Sequence, residues 1–174
     1  MELLHSTALL CLLCTAAASS VLPIRNVALH GRSTQSSRFD WNSDAINAID
    51  DNPDSNFFHG SCSSTSLDMS PWWRVDLLRP YRISHITITN RGDCCSEFLD
   101  GAKVLVGNSL ENNGNNNAFC AGINSIPRGG TQTLQCNNLV GQYVNIIQPG
   151  KLTYLQLCEV QIFAVPDSNQ ALCI

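Results

Sequence analysis

Two neighbouring stretches, Trp73-Arg-Val-Asp-Leu-Leu78 and Ile83-Ser-His-Ile-Thr-Ile-Thr-Asn90, decide the fold class of this chain. In both, apolar and polar residues follow one another with a period close to two, which is typical of a strand with one buried face. Trp72 and Trp73 add the aromatic area that anchors a β-sheet core, so we expect both to be scaffold residues rather than ligand contacts.

Further strands are predicted on both sides of this centre. Runs of alternating or β-branched residues recur, separated by glycine, proline and asparagine, at Lys103 to Val106, Thr131 to Cys136, Tyr143 to Gln148 and Leu155 to Ala164. The asparagine-rich segment Glu111 to Asn117 is expected to be a surface loop. The one helical candidate, Asp44 to Asp50, is barely two turns long. The pattern therefore predicts an all-β sandwich.

Residues 1–20 are expected to be a secretory signal peptide, because the apolar stretch Ala8 to Ala18 runs into small residues at Ser19-Ser20. Residues 21–174 then form one secreted, extracellular domain, since about 150 residues are enough for a single core. No later stretch is long and apolar enough to cross a membrane. The net charge of −4 and the lack of a Lys/Arg cluster exclude nucleic acid and anionic membranes as expected partners.

Seven cysteines follow the predicted signal peptide, an odd number that leaves one over after three bridges. In an oxidising compartment, the spare cysteine is free or pairs with another molecule. Cys173 is expected to be that residue because it lies next to the C-terminus.

The tetrad Arg91, Asp93, Cys94 and Cys95 predicts a binding site directly after a strand. Adjacent cysteines can close a rigid, apolar ring, and an arginine fork held by a carboxylate can donate to two neighbouring hydroxyl groups. A flat apolar platform beside fixed donors suits a sugar. One alternative is an ordinary surface ion pair. Another is integrin recognition of Arg91-Gly92-Asp93, which would require a mobile, exposed tip.

An oxygen-rich segment, Asn47-Ala-Ile-Asp-Asp-Asn52, offers ligands for a hard cation such as Ca²⁺. The alternative is an ordinary Asx turn, because Asp and Asn readily cap their own backbone. A Cys62–Cys158 link would favour the cation, since it would bring Ser61 and Glu159 together.

The sequence predicts a binding protein rather than an enzyme. Beyond the leader, the histidines are His30, His59 and His85, and their spacing matches neither a catalytic triad nor a zinc motif. No nucleophile elbow or phosphate loop is present.

Five segments together resemble the F-type lectins, the fucolectins of eels and other fish. They are Asn47 to Asp50, Ser55 to Cys62, Pro71 to Leu77, Thr87 to Cys95 and Leu155 to Val160. This resemblance, which runs from about Asn26 to Ile162, implies a jelly-roll β-sandwich of the discoidin or coagulation factor 5/8 C type. It also implies one structural Ca²⁺, recognition of α-L-fucose on fucosylated glycans, a role in innate immune recognition, and a homotrimer.

The resemblance also assigns roles to individual residues. It implies bridges Cys62 to Cys158, Cys94 to Cys95 and Cys120 to Cys136. The implied calcium ligands are Asn47, Asp50, Asn52, Ser61, Cys158 and Glu159, with Asn47, Asn52 and Cys158 contributing carbonyl oxygens.

The sugar site departs from the family pattern at two positions. Two residues after Cys62 the family has a histidine, and three residues after Cys95 it has an arginine; here those positions hold Ser64 and Phe98. Arg91, Asp93, Cys94 and Cys95 match. Two hypotheses follow: a lectin for fucose or a related terminal glycan, or a degenerate paralogue that kept the scaffold and became an extracellular protein-interaction module.

Overall fold

The computed structural model describes residues 22–167, and the expected signal peptide and Cys173 lie outside that range. The described chain is a jelly-roll β-sandwich, as the sequence predicts. Its strands are β1 (Arg25–Asn26), β2 (Arg32–Gln35), β3 (Ser63–Ser64), β4 (Asp68–Met69), β5 (Trp72–Thr89), β6 (Lys103–Gly107), β7 (Ala118–Gly122), β8 (Thr131–Ile147), β9 (Leu152–Thr153), β10 (Gln156–Leu157) and β11 (Glu159–Pro166).

All helical segments of the described chain are short 3₁₀ turns, and none is long and apolar enough to span a membrane. The helical candidate at Asp44 to Asp50 is such a turn, Ala45–Ile49. The others are Ala28–His30, Phe57–His59, Ser96–Leu99 and Glu111–Gly114. The last of these lies in the predicted asparagine loop.

The main sheet runs β1-β11-β5-β8-β6-β7, with β2 also paired to β5, and every pairing is antiparallel. Two small ribbons, β3–β10 and β4–β9, complete the fold. The expected separate strands at Trp73 to Leu78 and Ile83 to Asn90 are one strand, because β5 continues to pair with β8 on both sides of a bend. Leu78 has a left-handed φ of 68° at that bend.

Two further predictions differ from the structure. The expected strands at Thr131 to Cys136 and Tyr143 to Gln148 are one strand, β8. The expected strand Leu155 to Ala164 is divided into β10 and β11.

Residues from both halves of β5 belong to one buried core cluster. Trp73, Val75, Ile86 and Ile88 are buried on the inner face of β5, and the Trp73 indole donates to the Ala45 carbonyl at 3.0 Å. Trp72 points to the other face, as alternation along a strand requires, and its ring lies 5.3 Å from the Arg74 guanidinium. Trp73 is therefore the core anchor, whereas Trp72 is a half-buried residue of the outer face.

Candidate functional site

Arg91 and Asp93 form a buried ion pair at the end of β5. The Arg91 side chain is only 8% exposed; its Nε donates to Asp93 Oδ1 at 3.0 Å and its Nη2 to Oδ2 at 2.5 Å. Asp93 Oδ1 also accepts the Phe57 backbone N–H at 2.9 Å. These hydrogen bonds, led by the one from Arg91, hold the pKa of Asp93 below its ordinary value. The pair is thus a fixed element and not a surface ion pair.

The burial of Arg91 also argues against the integrin alternative. The three residues Arg91-Gly92-Asp93 are tied down, since the charges neutralise each other and the Gly92 N–H donates to the Ser55 carbonyl at 2.7 Å. A side chain at Gly92 would collide with the Ser55 hydroxyl. This tripeptide is not a projecting loop tip.

Cys94 and Cys95 are joined by a disulfide beside this ion pair. Cys95 has a left-handed φ of 60° and leads directly into the turn Ser96–Leu99. The Asn90 side-chain amide donates to the carbonyls of Ser96 and Ile126 at 2.9 and 2.7 Å. The backbone that directly follows the paired cysteines is therefore held by a hydrogen bond.

A chain of five aromatic side chains begins at the ion pair and extends away from it. Neighbouring ring centroids lie 5.2 to 6.0 Å apart along Phe58, Phe57, Phe39, Tyr154 and Phe98. The Arg91 guanidinium lies 4.3 Å from the centre of the Phe57 ring, a cation–π distance. Phe58 is 76% exposed and so offers an apolar face to solvent beside the arginine. Of these rings, the sequence predicts only Phe98 as a site residue, because the other four come from three segments with no common periodicity.

The two departures from the family pattern have different surroundings. Ser64 is fully buried; its hydroxyl donates to the Thr65 carbonyl at 3.1 Å and accepts from the Gln156 amide at 3.2 Å. We therefore expect no contact between this hydroxyl and a ligand. Phe98 is half-buried and tilts against Tyr154 near the paired cysteines. The structure thus gathers Arg91, Asp93, Cys94, Cys95 and Phe98 and turns Ser64 inward.

The oxygen-rich segment contains the Asx turns that its composition suggests. Asp50 Oδ1 accepts the Asn52 N–H at 3.0 Å, Asn52 Oδ1 accepts the Asp54 N–H at 3.2 Å, and Asp54 Oδ1 accepts the Asn56 N–H at 2.9 Å. These turns explain why Asp and Asn recur at every second position. They do not explain the carboxylate that faces the segment.

That carboxylate belongs to Glu159, the first residue of β11. It is 3% exposed, and neither of its oxygens makes a hydrogen bond of normal geometry. Burial, with the nearby charges of Asp50 and Asp51, raises the pKa of Glu159 to about 8. The backbone N–H groups of Asn52 and Asp51 partly offset this rise, although neither forms a hydrogen bond of normal geometry with the carboxylate. A buried carboxylate without a donor is costly, and a divalent cation is one means of relieving that cost.

The remaining implied calcium ligands lie around Glu159. Cys62 and Cys158 are bonded, so Ser61 and Glu159 each adjoin one end of the same bridge. The Asn47 amide donates to the Asn42 and Cys62 carbonyls at 2.8 and 3.3 Å. Within residues 22–167, no three His, Cys, Asp or Glu side chains form a metal cluster. Carbonyl and hydroxyl oxygens would therefore supply most of the coordination, as Ca²⁺ accepts.

The third bridge, Cys120–Cys136, joins β7 to β8. All three pairings implied by the family resemblance are present.

Comparison with known proteins yields one consistent group. The family model described as a NedA-like, galactose-binding domain of the F5/F8 type C class matches residues 47–146. Fucolectin-4 of Anguilla japonica is 52% identical over 149 residues, which cover 83% of this chain and 82% of that protein. This relative is a lectin by name, in agreement with the prediction of a binding protein.

Two solved structures share the fold. A serum fucolectin from the striped bass Morone saxatilis has a TM-score of 0.78 at 46% identity; the match covers 82% of this chain but only 48% of that one, so the chain spans about half its length. The lectin domain of lectinolysin, complexed with Lewis B antigen, has a TM-score of 0.71 at 25% identity, covering 83% and 99% of the two chains.

Proposed function

Because this chain belongs to the fucolectin family, we propose that it is a secreted lectin that binds α-L-fucose or a related terminal sugar on fucosylated glycans. The observation that carries this proposal is the buried Arg91–Asp93 pair beside the Cys94–Cys95 ring. These residues combine fixed donors with an apolar surface, the two features that a sugar ring requires.

Each part of the site has a distinct task. A guanidinium has five N–H donors, and Asp93 accepts the single one on Nε and one of the two on Nη2. The remaining donors can reach adjacent sugar hydroxyls, and the carboxylate holds the fork in position for them. The Cys94–Cys95 ring and the exposed Phe58 ring can cover the apolar face of the sugar.

We further propose that Ca²⁺ stabilises the site without touching the sugar. Asp50 and Glu159 would supply carboxylate oxygens, Ser61 its hydroxyl, and Asn47, Asn52 and Cys158 their carbonyls. The unpartnered carboxylate of Glu159 supports this assignment. The ion would tie the 45–52 segment to β11 and so fix the loops at this end of the sandwich.

A second candidate function has a specific observation in its favour. Phe98 occupies the position of a family arginine and packs on Tyr154, while the Ser64 hydroxyl is already hydrogen-bonded inside the protein. Losing a charged donor weakens a hydrogen-bonded contact by about 1.5–3 kcal/mol, or roughly tenfold to a hundredfold. Altered glycan preference, or a protein-interaction role on the same scaffold, is the alternative proposal.

Assembly would offset weak single-site affinity. We propose a homotrimer, since several linked sites raise avidity on a fucosylated cell or microbial surface without new contacts, which suits innate immune recognition.

A glycan array tests the proposal against its alternative. The full protein is applied with Ca²⁺ and again with chelator, alongside the variants Arg91→Lys and Arg32→Lys. We expect signals on fucosylated glycans that chelator reduces, that Arg91→Lys removes, and that the distant Arg32→Lys leaves intact. Silence toward every fucosylated glycan would refute the fucose assignment.

A further inference from the structure

A cavity lies at the opposite end of the sandwich from Arg91. It has a volume of about 340 Å³ and lies between the N-terminal segment, the bend of β5 and the end of β11. Tyr81 lines it, whereas Arg91 follows Thr89 at the other end of the same half of β5. The eight residue steps from Tyr81 to Thr89 span roughly 26 Å at strand spacing. The cavity is therefore separate from the proposed sugar site.

The cavity is basic in a chain that is acidic overall. Arg25, His30 and Arg79 line it, although the whole chain carries a net charge of −4. Within residues 22–167 none of these three forms an ion pair. The nearby carboxylate of Asp167 is bound to Arg82 at 3.0 Å. The cavity thus presents two arginine side chains, Arg25 and Arg79, that no described carboxylate neutralises.

Arg79 is held in place by Tyr81. Its Nε donates to the Tyr81 hydroxyl at 3.0 Å, and its guanidinium lies 5.0 Å from the centre of that ring. Both Nη groups make no hydrogen bond to any described residue. An arginine fixed through Nε with its terminal fork free is suited to binding the oxygens of an anion.

The remaining walls are mainly apolar. They consist of Leu22, Pro23, Val27, Ala164 and Pro166, together with the Tyr81 ring. A bare anion such as chloride or acetate would leave this surface uncovered, whereas an apolar body attached to the anionic group would fill it. Charge and shape together therefore select an amphiphilic ligand.

We infer that this cavity is a second binding site, which takes a small carboxylate, sulfate or phosphate carried on an apolar body. The anionic group pairs with Arg25 and Arg79 and accepts a hydrogen bond from the His30 ring, and the apolar body packs between Leu22, Val27 and Ala164. Binding here is independent of the sugar site.

Calorimetric titration of the full protein with octanoate tests the ligand class. Acetate has the charge without the tail, and octan-1-ol has the tail without the charge. We expect one octanoate per chain, bound at least tenfold more tightly than either control. Equal binding of the three compounds, or no saturable binding of octanoate, would overturn the inference.

Variants locate the site. Arg25→Met combined with Arg79→Met should weaken octanoate binding at least tenfold, while the exposed Lys103→Met, at the other end of the molecule, should leave it unchanged. Both arginines are exposed, and thermal unfolding of the double variant checks that it folds. Octanoate affinity that survives in the folded double variant would place binding elsewhere and refute the inference. Fucose binding, measured on the same samples, should not change in any of them.

Discussion

Asp93 accepts hydrogen bonds from the guanidinium of Arg91 through both carboxylate oxygens, and the same carboxylate accepts one from the backbone N–H of Phe57. One side chain therefore orients the arginine fork and fixes the position of the ring on which that fork is stacked. The donors of Arg91 are therefore already oriented in the free protein, which lowers the entropic cost of binding a ligand.

Asp93→Asn should make the stability of the protein less sensitive to acid. The pKa of Asp93 is lowered from its ordinary 3.8, mainly by the hydrogen bond from Arg91. A lowered folded-state pKa contributes stability that is fully present above the unfolded value near pH 4 and is lost as pH falls toward the folded value. The difference in urea midpoint between wild type and Asp93→Asn should thus be larger at pH 7 than at pH 3. Asp44→Asn, in a half-exposed surface pair, is the control, and a pH-independent difference for Asp93→Asn would contradict the account.

Glu159→Gln should abolish the response of the melting temperature to calcium. An ion whose free concentration is about a hundred times its dissociation constant stabilises the folded state by about 2.7 kcal/mol. For a domain of this size, that corresponds to a rise in melting temperature of about 5–10 °C. We expect that rise in the wild type and in the exposed control Glu111→Gln, as scanning calorimetry with Ca²⁺ and with chelator would measure.

In chelator, Glu159→Gln should be at least as stable as the wild type, because the amide removes a buried carboxylate that has no donor. A wild-type melting temperature that is the same with Ca²⁺ and with chelator would rule out the calcium site.

Phe98→Arg should strengthen fucose binding. An arginine at this position restores a charged donor beside the Cys94–Cys95 ring, and one such hydrogen bond corresponds to roughly a tenfold to hundredfold gain. Phe98→Ala removes the ring without adding a donor and is the matched control. If the two variants bind fucose equally in titration calorimetry, the donor has no role at this position.

The two disulfides near the sites should differ in what they stabilise. Cys62–Cys158 joins residues 96 positions apart, so removing it with paired Cys→Ser changes should cost about 4–5 kcal/mol of unfolding free energy. Cys94–Cys95 closes no such loop, and its removal should lower sugar affinity with little change in stability. Urea unfolding and glycan binding on both variants would separate these effects, and equal losses of stability would contradict the distinction.

The sequence predicts the sandwich because Trp73, Val75, Ile86 and Ile88 repeat with the strand period and their burial follows that period. It fails to predict that β5 is continuous, since Pro80 and the left-handed Leu78 interrupt the pattern while pairing with β8 resumes beyond them. Strands β1 to β4, β7 and β9 also escape prediction, because partners on neighbouring strands and not their own composition make them strands.

At the site, adjacency along the chain limits what can be predicted. Arg91 and Asp93 are two residues apart, so their pairing is visible in the sequence. Phe57 contacts Arg91, although the two residues are more than thirty positions apart in the chain. Tyr154, in yet another segment, contacts both Phe39 and Phe98. No local pattern reports such contacts. The disulfide pairings and the proposed calcium ligands also join distant segments, so they come from the family resemblance and not from a local pattern.

Titration calorimetry of L-fucose into the full protein and into the Arg91→Lys variant is the decisive test of fucose binding through Arg91. We expect the wild type to bind one fucose per chain saturably, and we expect an affinity at least tenfold lower when lysine replaces the fork that Asp93 holds. Wild-type binding that Arg91→Lys leaves unchanged, or no fucose binding at any concentration, would contradict this expectation.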